Sequence, residues 1–298
     1  MAWYEQGTVS MNISIELLNH TYQINTDFSW TLAIPVHFNH AEQQPNHFGA
    51  NAALSVPMQA GSFIGDTEQG GSCNVNTLTI NPHCNGTHTE TIAHICDLNA
   101  ELSLKIADIE VPPLMPCAVI SITPEKALSS NDDYSPAFDK SDQIISRCAL
   151  KETLSSFDDE QLQAVVIRTL PNNNDKCQQA YNENNQPAFF SRDAILYLNE
   201  RGTEHLIVDI PSIDRLHDDG LMTCHHLFWQ VIEGAHQASP NSQINKTITE
   251  MAFVNNDIND GFYFINLQTP AFVNDASPSR PVLYQAIDIT AGSQQKRN

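Results

Sequence analysis

The chain has 298 residues, enough for one large or two average domains and for a substantial buried core. Hydrophobic residues make up 41% of it, and 13 Phe, 7 Tyr and 3 Trp are spread along its length, which excludes a disordered chain. Asp and Glu total 35 against 14 Lys and Arg, a formal net charge of −21. Because phosphate backbones and anionic lipid headgroups repel so acidic a chain, nucleic acid and the membrane surface are poor candidate partners.

The seven cysteines are an odd number in a long chain and form no closely spaced framework, which indicates reduced thiols. No basic segment followed by an apolar stretch opens the sequence, so we expect no signal peptide. No apolar run approaches the ~18 residues that a membrane-spanning helix needs. Together these features favour a cytoplasmic protein.

The first part of the chain predicts strands separated by turns and one long loop. Alternating side chains in residues 11–18 predict a strand, and residues 30–38 a second one. Residues 39–62 are rich in Asn, Gln, Pro and Gly and predict a long loop, a feature that is often functional in compact domains. Residues 74–80 alternate with period two, which predicts a strand with one buried face. Residues 118–123 predict a short apolar strand.

The middle of the chain predicts a βαβ-like unit. Residues 164–169 form an apolar strand pattern, and residues 192–200 carry apolar side chains at helical spacing. Ser191 can cap the start of this helix, and Gly202 can end it. Residues 205–209 then predict a buried strand.

Two more strands are predicted near the end, at residues 247–254 and 262–267. No internal repeat and no convincing boundary divides the chain, so we expect a single mixed α/β domain over residues 1–298. Polar segments predict surface excursions from this domain at residues 124–160, 171–187 and 234–246.

The densest group of potential metal ligands falls within twelve residues, directly after the strand of residues 74–80: His83, Cys84, His88, Glu90 and His94. In an extended chain His88 and Glu90 point to the same side, and Gly86 lets the backbone turn so that Cys84 can reach the same point. Thiolate, imidazole and carboxylate together suit a borderline metal such as Zn²⁺. The alternative is a polar loop whose histidines are exposed to solvent.

A second group contains His225 and His226. Adjacent residues on a helix diverge by ~100°, so at most one of the two shares a ligand face. Taken alone, such a pair is more typical of a structural site. Asp209 and Asp214 follow a buried strand, where α/β units present functional groups, although this sequence also suits an ordinary turn. Glu250, in an apolar-leaning strand, is either solvated at an edge or buried beside a cation.

These segments together resemble a known family. Residues 86–94, GTHTETIAH, resemble the GTHxDxPxH signature of the cyclase family that includes bacterial kynurenine formamidase (arylformamidase) and isatin hydrolase. Residues 209–214, DIPSID, match the D-x-P-S-I-D segment of the family, and residues 260–263, DGFY, resemble its G-R-Y strand entry. His225 followed by Glu250 resembles its later ligands. The resemblance spans roughly residues 10 to 285.

The resemblance implies a swivelling β/β/α fold built around a partly closed β-barrel. It also implies one or two divalent metals, Zn²⁺ first and Mn²⁺ as the alternative, and a homo-oligomer, either a dimer or a tetramer. Carried over by position, the metal ligands are Cys84, His88, Glu90, His225 and Glu250. His83 is the alternative to Cys84, because it is displaced by one residue from the first-ligand position.

The same resemblance implies that His94 and Glu250 are the catalytic residues, with His94 as the proton shuttle. Three departures from the family pattern set this chain apart: Cys84 replaces a His, Glu90 an Asp, and Ile92 a Pro. These departures argue against simply assuming an aryl-formamide substrate, and they leave room for a single metal.

We therefore predict an arylformamidase-like, metal-dependent hydrolase that acts on a small molecule. It would cleave a C–N amide bond of the formamide, lactam or cyclic-imide type, or a related ester, through metal-activated water. The alternative is a non-catalytic protein that binds metal or a small ligand, which the changes at Cys84 and Glu90 motivate and the presence of His94 opposes. A cupin-type barrel is disfavoured because the sequence contains no H-x-H pair.

Overall fold

The computed structural model describes residues 11–290, which fold around one large sheet. Its helices are α1 (Pro82–Asn85), α2 (Arg147–Thr153), α3 (Arg192–Glu200) and α4 (Thr223–Phe228). Its strands are β1 (Asn12–Leu17), β2 (His20–Thr31), β3 (Leu54–Pro57), β4 (Gln59–Ala60), β5 (Phe63–Ile64), β6 (Asn76–Thr79), β7 (His88–Glu90), β8 (Met115–Ile122), β9 (Glu125–Lys126), β10 (Gln143–Ile145), β11 (Ala164–Thr169), β12 (Phe189–Phe190), β13 (His205–Val208), β14 (Thr247–Glu250), β15 (Gly261–Asn266), β16 (Ala276–Pro278) and β17 (Val282–Asp288).

The large sheet has the strand order β1-β2-β17-β15-β8-β11-β13-β14-β7-β16. Its centre, β8-β11-β13-β14, is parallel, and antiparallel pairs extend it on both sides. The predicted mixed α/β fold is confirmed. Among residues 11–290 the strand order of this large sheet is open, with β1 and β16 at its two edges, so the partly closed barrel stays a prediction.

The core lies on both faces of the parallel centre. On β11, Val165 and Ile167 face α2, α3 and α4, whereas Val166 faces a second apolar cluster with Leu32 and Ile265. Burial on both faces explains the apolar runs at residues 117–120 in β8, 164–167 in β11 and 206–208 in β13. None of the helices in the described part of the chain is long and apolar enough to cross a membrane.

The predicted βαβ-like unit is present. The helix α3 has the predicted bounds, and the Ser191 hydroxyl accepts a hydrogen bond from the Ala194 N–H at 3.0 Å. Gly202 follows the helix with a φ of 77°, a left-handed conformation that favours glycine. The strand β13 then runs parallel to β11. Turn chemistry and apolar periodicity therefore located this unit correctly.

The prediction for residues 30–38 is wrong in position. The strand in this region, β2, ends at Thr31, and only an isolated bridge from Ala33 to Ala252 follows. Pro35 lacks an N–H for a strand ladder, which is the physical reason that the apolar pattern does not continue as a strand.

The long loop expected at residues 39–62 contains β3 and β4, and β3 pairs with β6 in a two-stranded ribbon. The strand expected near residues 74–80 exists as β6, but all four of its residues are exposed. Leu78 on β6 and Leu54 on the partner strand β3 are 55% and 46% exposed, so the predicted buried face is wrong. The alternation of polar and apolar residues therefore predicted the strand correctly but not its exposure to solvent.

Residues 124–160, expected to be a surface excursion, contain β9, β10 and α2. Ile144, Ile145 and Leu150 are completely buried in the core cluster beneath α3 and α4. The prediction of a surface excursion failed here because these apolar stretches are short and lie among many Asp and Ser residues.

Candidate metal centre

The short strand β7 lies at the centre of the site. It pairs with β14 so that His88 faces Glu250, and with β16 on its other side. His88 and Glu90 project from one face because side chains alternate along a strand. Thr89 projects from the other face and makes hydroxyl hydrogen bonds of 2.7 Å with Thr249 and 2.8 Å with Ser279.

His88 is completely buried, and its ring is oriented by the backbone. Its Nδ1 lies 3.0 Å from the Gly86 carbonyl oxygen, to which it donates a hydrogen bond. The lone pair of Nε2 is therefore free. Nε2 has no hydrogen-bond partner and lies 3.5 Å from a Glu250 carboxylate oxygen. This is the arrangement of an imidazole ready to bind a metal.

His225 enters the site from α4, and Asp214 orients it. Asp214 Oδ2 lies 2.5 Å from His225 Nδ1, and the same carboxylate accepts the backbone N–H groups of Cys224 and His225. His225 Nε2 has no hydrogen-bond partner and lies 2.9 Å from Glu90 Oε1. The neighbouring His226 belongs to none of the potential ligand groups found among the described residues, in keeping with the divergence expected for adjacent helical residues.

Glu90 is completely buried, and neither of its carboxylate oxygens has a hydrogen-bond partner. Burial raises the pKa of Glu90, but the charges of His94 and His225 outweigh burial and hold that pKa well below its usual range. Burial likewise lowers the pKa of His225, while Glu90 and Asp214 raise it well above the usual value. A buried carboxylate with unused lone pairs is costly unless a cation compensates it. Glu90 belongs to two groups of potential ligands, one with His83 and His88 and one with His94 and His225, and their nitrogen and oxygen donors fit a divalent cation.

His83 and Cys84 occupy the helical turn α1, whose first residue is Pro82 and whose N-cap Asn81 accepts the His83 N–H at 3.1 Å. The expected extended backbone is therefore absent at this point. Adjacent side chains diverge by ~100° on a helical turn. His83 Nδ1 lies 3.1 Å from Glu90 Oε2, and His83 belongs to two of the potential ligand groups.

Within the described residues Cys84 belongs to none of these groups. Its side chain is buried, and burial together with the nearby Glu250 raises the pKa of its thiol. The geometry thus favours His83, the alternative of the sequence analysis, as the ligand from this turn.

His94 stands at the open side of Glu90. Its Nε2 lies 3.7 Å from Glu90 Oε2, and its ring centroid lies 5.4 Å from that of His225. The His94 side chain is 25% exposed, whereas that of Glu90 is completely buried. Asp275 contacts His94 Nδ1 at 3.4 Å. His94 belongs to two of the potential ligand groups, and its partly exposed imidazole is also suitably placed for proton transfer.

Glu250 reaches the site from the end of β14. Its Oε1 accepts the Ile213 N–H at 2.8 Å and lies 3.7 Å from His225 Nε2. Asp209, which with Asp214 forms the carboxylate pair of residues 209–214, lies apart from the candidate ligands. It pairs with Lys176 at 2.7 Å and accepts hydrogen bonds from Thr169, which is a structural arrangement.

Sequence reasoning missed two residues near the centre. Asp275 contacts both His83 and His94, but it lies in a short turn before β16 that carries no recognisable motif. His47 is 2% exposed, and neither of its ring nitrogens has a hydrogen-bond partner. Burial, and then the charges of His88 and His83, lower the pKa of His47 to about 4. Its position within the predicted functional loop was the only available signal.

Comparison with solved structures identifies similar folds. A protein from Bacillus stearothermophilus described as a "predicted metal-dependent hydrolase" has a TM-score of 0.54 and 16% identity, over 86% of this chain and 98% of that one. Isatin hydrolase A from Labrenzia aggregata has a TM-score of 0.55 and 15% identity, over 86% and 93% of the two chains. Isatin hydrolase A from Ralstonia solanacearum has a TM-score of 0.55 and 14% identity, over 86% and 91%. At these identities the likeness establishes the fold alone.

Comparison with curated proteins finds no match. The family model described as "Putative cyclase" matches residues 13–215, which is more than half of the chain. The matched range contains His83, His88, Glu90, His94 and Asp214, whereas His225 and Glu250 lie beyond it. The chain therefore belongs to the cyclase family, as its GTHTE and DIPSID segments indicated.

Proposed function

We propose that the protein is a metal-dependent hydrolase that cleaves a C–N amide bond of the formamide, lactam or cyclic-imide type, or a related ester. One observation carries the proposal: Glu90, whose buried carboxylate oxygens have no hydrogen-bond partner, belongs to two groups of potential metal ligands, one with His83 and His88 and one with His94 and His225. A structural metal site is closed by protein ligands, whereas a catalytic site keeps an open side for water and substrate. The exposure of His94 supports the second kind.

The residues that would hold one or two cations are Glu90 with His83 and His88 on one side and Glu90 with His225 on the other. Glu250 lies near both His88 and His225. The nitrogen and oxygen donors of these residues suit Zn²⁺ first and Mn²⁺ as the alternative. A bound divalent cation would supply Lewis acidity, which lowers the pKa of water and polarises a carbonyl group.

The remaining chemistry belongs to the side chains of this chain. His94 would accept a proton from the attacking water and return it to the leaving amine or alcohol. Glu250, fixed by the Ile213 N–H, would keep its second oxygen directed at His88. The side chains of His83 and His94 are 24% and 25% exposed, so a small substrate reaches the centre from their side.

The proposal is tested with metal-stripped protein reloaded with Zn²⁺ or Mn²⁺ and assayed on N-formyl amines, cyclic imides, lactams and esters. We expect metal-dependent turnover of at least one class. The control variant His94→Ala should retain its metal and lose turnover by roughly 10²–10⁴-fold. Metal binding without turnover of any class would instead support the non-catalytic binding protein.

A further inference from the structure

Backbone pairing fixes the position of Asp275. The strand β16 pairs with β7 so that Ala276 lies opposite Glu90. Just before this strand, the Asp275 carbonyl oxygen accepts a hydrogen bond from the Thr91 N–H at 3.0 Å. Thr91 also caps the short turn Ile92–His94 that carries His94. The Asp275 side chain is therefore held above Glu90 by main-chain contacts that do not depend on its carboxylate.

One oxygen of this carboxylate lies close to two imidazole rings. Asp275 Oδ2 lies 2.8 Å from His83 Nε2 and 3.4 Å from His94 Nδ1. The two rings stack with their centroids 4.3 Å apart and their planes 27° apart. Each ring directs its other nitrogen toward Glu90 Oε2, at 3.1 Å for His83 Nδ1 and 3.7 Å for His94 Nε2.

We propose that Asp275 is a positioning residue that orients His83 as a metal ligand and His94 as a base. A carboxylate that accepts the N–H of one ring nitrogen leaves the lone pair of the other nitrogen free. For His83 the free lone pair is on Nδ1, directed at the metal position. For His94 it is on Nε2, the nitrogen that takes up a proton. The part that concerns His94 rests on the proposed function, and the part that concerns His83 does not.

A second carboxylate–imidazole pair on the other side of Glu90 has the same arrangement. Asp214 holds His225 Nδ1 and leaves Nε2 facing Glu90 Oε1, just as Asp275 holds His83 Nε2 and leaves Nδ1 facing Glu90 Oε2. The two oxygens of Glu90 thus each face an imidazole that a second carboxylate orients. The Asp275 side chain is 20% exposed, so burial of this side chain does not determine its position beside His83 and His94.

The test compares Asp275→Ala, Asp275→Asn and the control Asp288→Asn. Asp288 pairs with His20 at 2.7 Å on the surface, so its replacement removes a carboxylate–imidazole contact remote from the centre. Zn²⁺ affinity is measured by competition with a chelator, and ligand geometry by the visible spectrum of the Co²⁺-loaded protein. We expect Asp275→Ala to bind Zn²⁺ about 10–100-fold more weakly with an altered Co²⁺ spectrum. Asp275→Asn, whose amide oxygen still accepts one hydrogen bond, should recover part of the loss.

On any substrate that the enzyme turns over, Asp275→Ala should lower kcat and leave KM nearly unchanged. Thermal unfolding of the metal-free variants identifies any that fail to fold. If Asp275→Ala fails, Zn²⁺ affinity and the Co²⁺ spectrum are compared between Asp275→Asn and the wild type. Wild-type Zn²⁺ affinity and an unchanged Co²⁺ spectrum in both Asp275 variants would overturn the proposal. Absence of turnover in the wild type would contradict the proposed hydrolase, while the metal measurements would still decide the role of Asp275.

Discussion

The contacts of Asp214 lead to a strong quantitative prediction. Its carboxylate accepts the Tyr134 hydroxyl at 2.7 Å, the Cys224 N–H at 2.7 Å, and both the N–H and Nδ1 of His225 at 3.1 and 2.5 Å. The helix α4 has no local cap, because Met222 at its N-cap offers no side-chain hydrogen bond. Asp214 therefore caps this helix from a distant segment and orients the buried His225.

Replacing Asp214 by Ala would leave these buried donors without an acceptor. Removing one partner of a buried, hydrogen-bonded charge pair costs about 3–5 kcal/mol, so we expect a loss of unfolding free energy in that range. The loss should be measured by urea unfolding of the metal-free protein. Zn²⁺ affinity should also fall by roughly 10–100-fold, because His225 loses the group that orients it.

The matched control is Tyr134→Phe, which removes one donor to the same carboxylate and the acceptor of the Arg215 N–H. It should cost about 1–2 kcal/mol and leave Zn²⁺ affinity unchanged, because the contacts between Asp214 and His225 remain. If Asp214→Ala unfolds within about 1 kcal/mol of the wild type and binds Zn²⁺ equally well, the capping and orienting roles are both wrong.

Three further outcomes are expected. His83→Ala should lower Zn²⁺ content more than Cys84→Ser, measured by elemental analysis; the reverse order would restore Cys84 as the ligand. His94→Ala should keep its Zn²⁺ while turnover falls roughly 10²–10⁴-fold, and loss of Zn²⁺ would make it a ligand instead. Burial lowers the pKa of His205 from 6.5 to about 4, so the stability that neutral His205 contributes is present above pH 6.5 and is lost as the pH falls toward 4. His205→Asn should reduce the slope of unfolding free energy against pH in this window by up to ~1.4 kcal/mol per pH unit, and an unchanged slope in urea unfolding would contradict the assignment.

The sequence predicted best the elements whose local signals agree with their tertiary surroundings. The helix α3 combines apolar periodicity, the cap Ser191 and the terminating Gly202, and the structure has the predicted bounds. The strand β11 begins with four apolar residues, Ala164 to Ile167, because both of its faces are buried. In the exposed β6, by contrast, alternation carries no information about burial, because its partner β3 is exposed as well.

The site was predictable where ligands lie close together in the sequence. The proximity of His88 and Glu90 follows from strand alternation, and the convergence of His225 and Glu250 on them agrees with the family resemblance. The sequence analysis assumed extended backbone at His83 and Cys84, whereas α1 is a helical turn, and the choice between these two residues as the ligand stays a prediction. Asp275 was out of reach, because only the pairing of β16 with β7 brings a residue so distant in sequence beside His83.

The central claim is that a divalent cation binds at Glu90 beside His88 or His225, and anomalous X-ray diffraction of Zn²⁺-loaded crystals at the zinc edge tests it most directly. The account predicts an anomalous peak ~2.0–2.2 Å from a Glu90 carboxylate oxygen and from at least one of the nitrogens His88 Nε2 and His225 Nε2. It also predicts that the peak disappears in crystals of Glu90→Gln prepared in the same way. A wild-type map with no peak at this position, or with the zinc bound only at distant surface residues, would contradict the account.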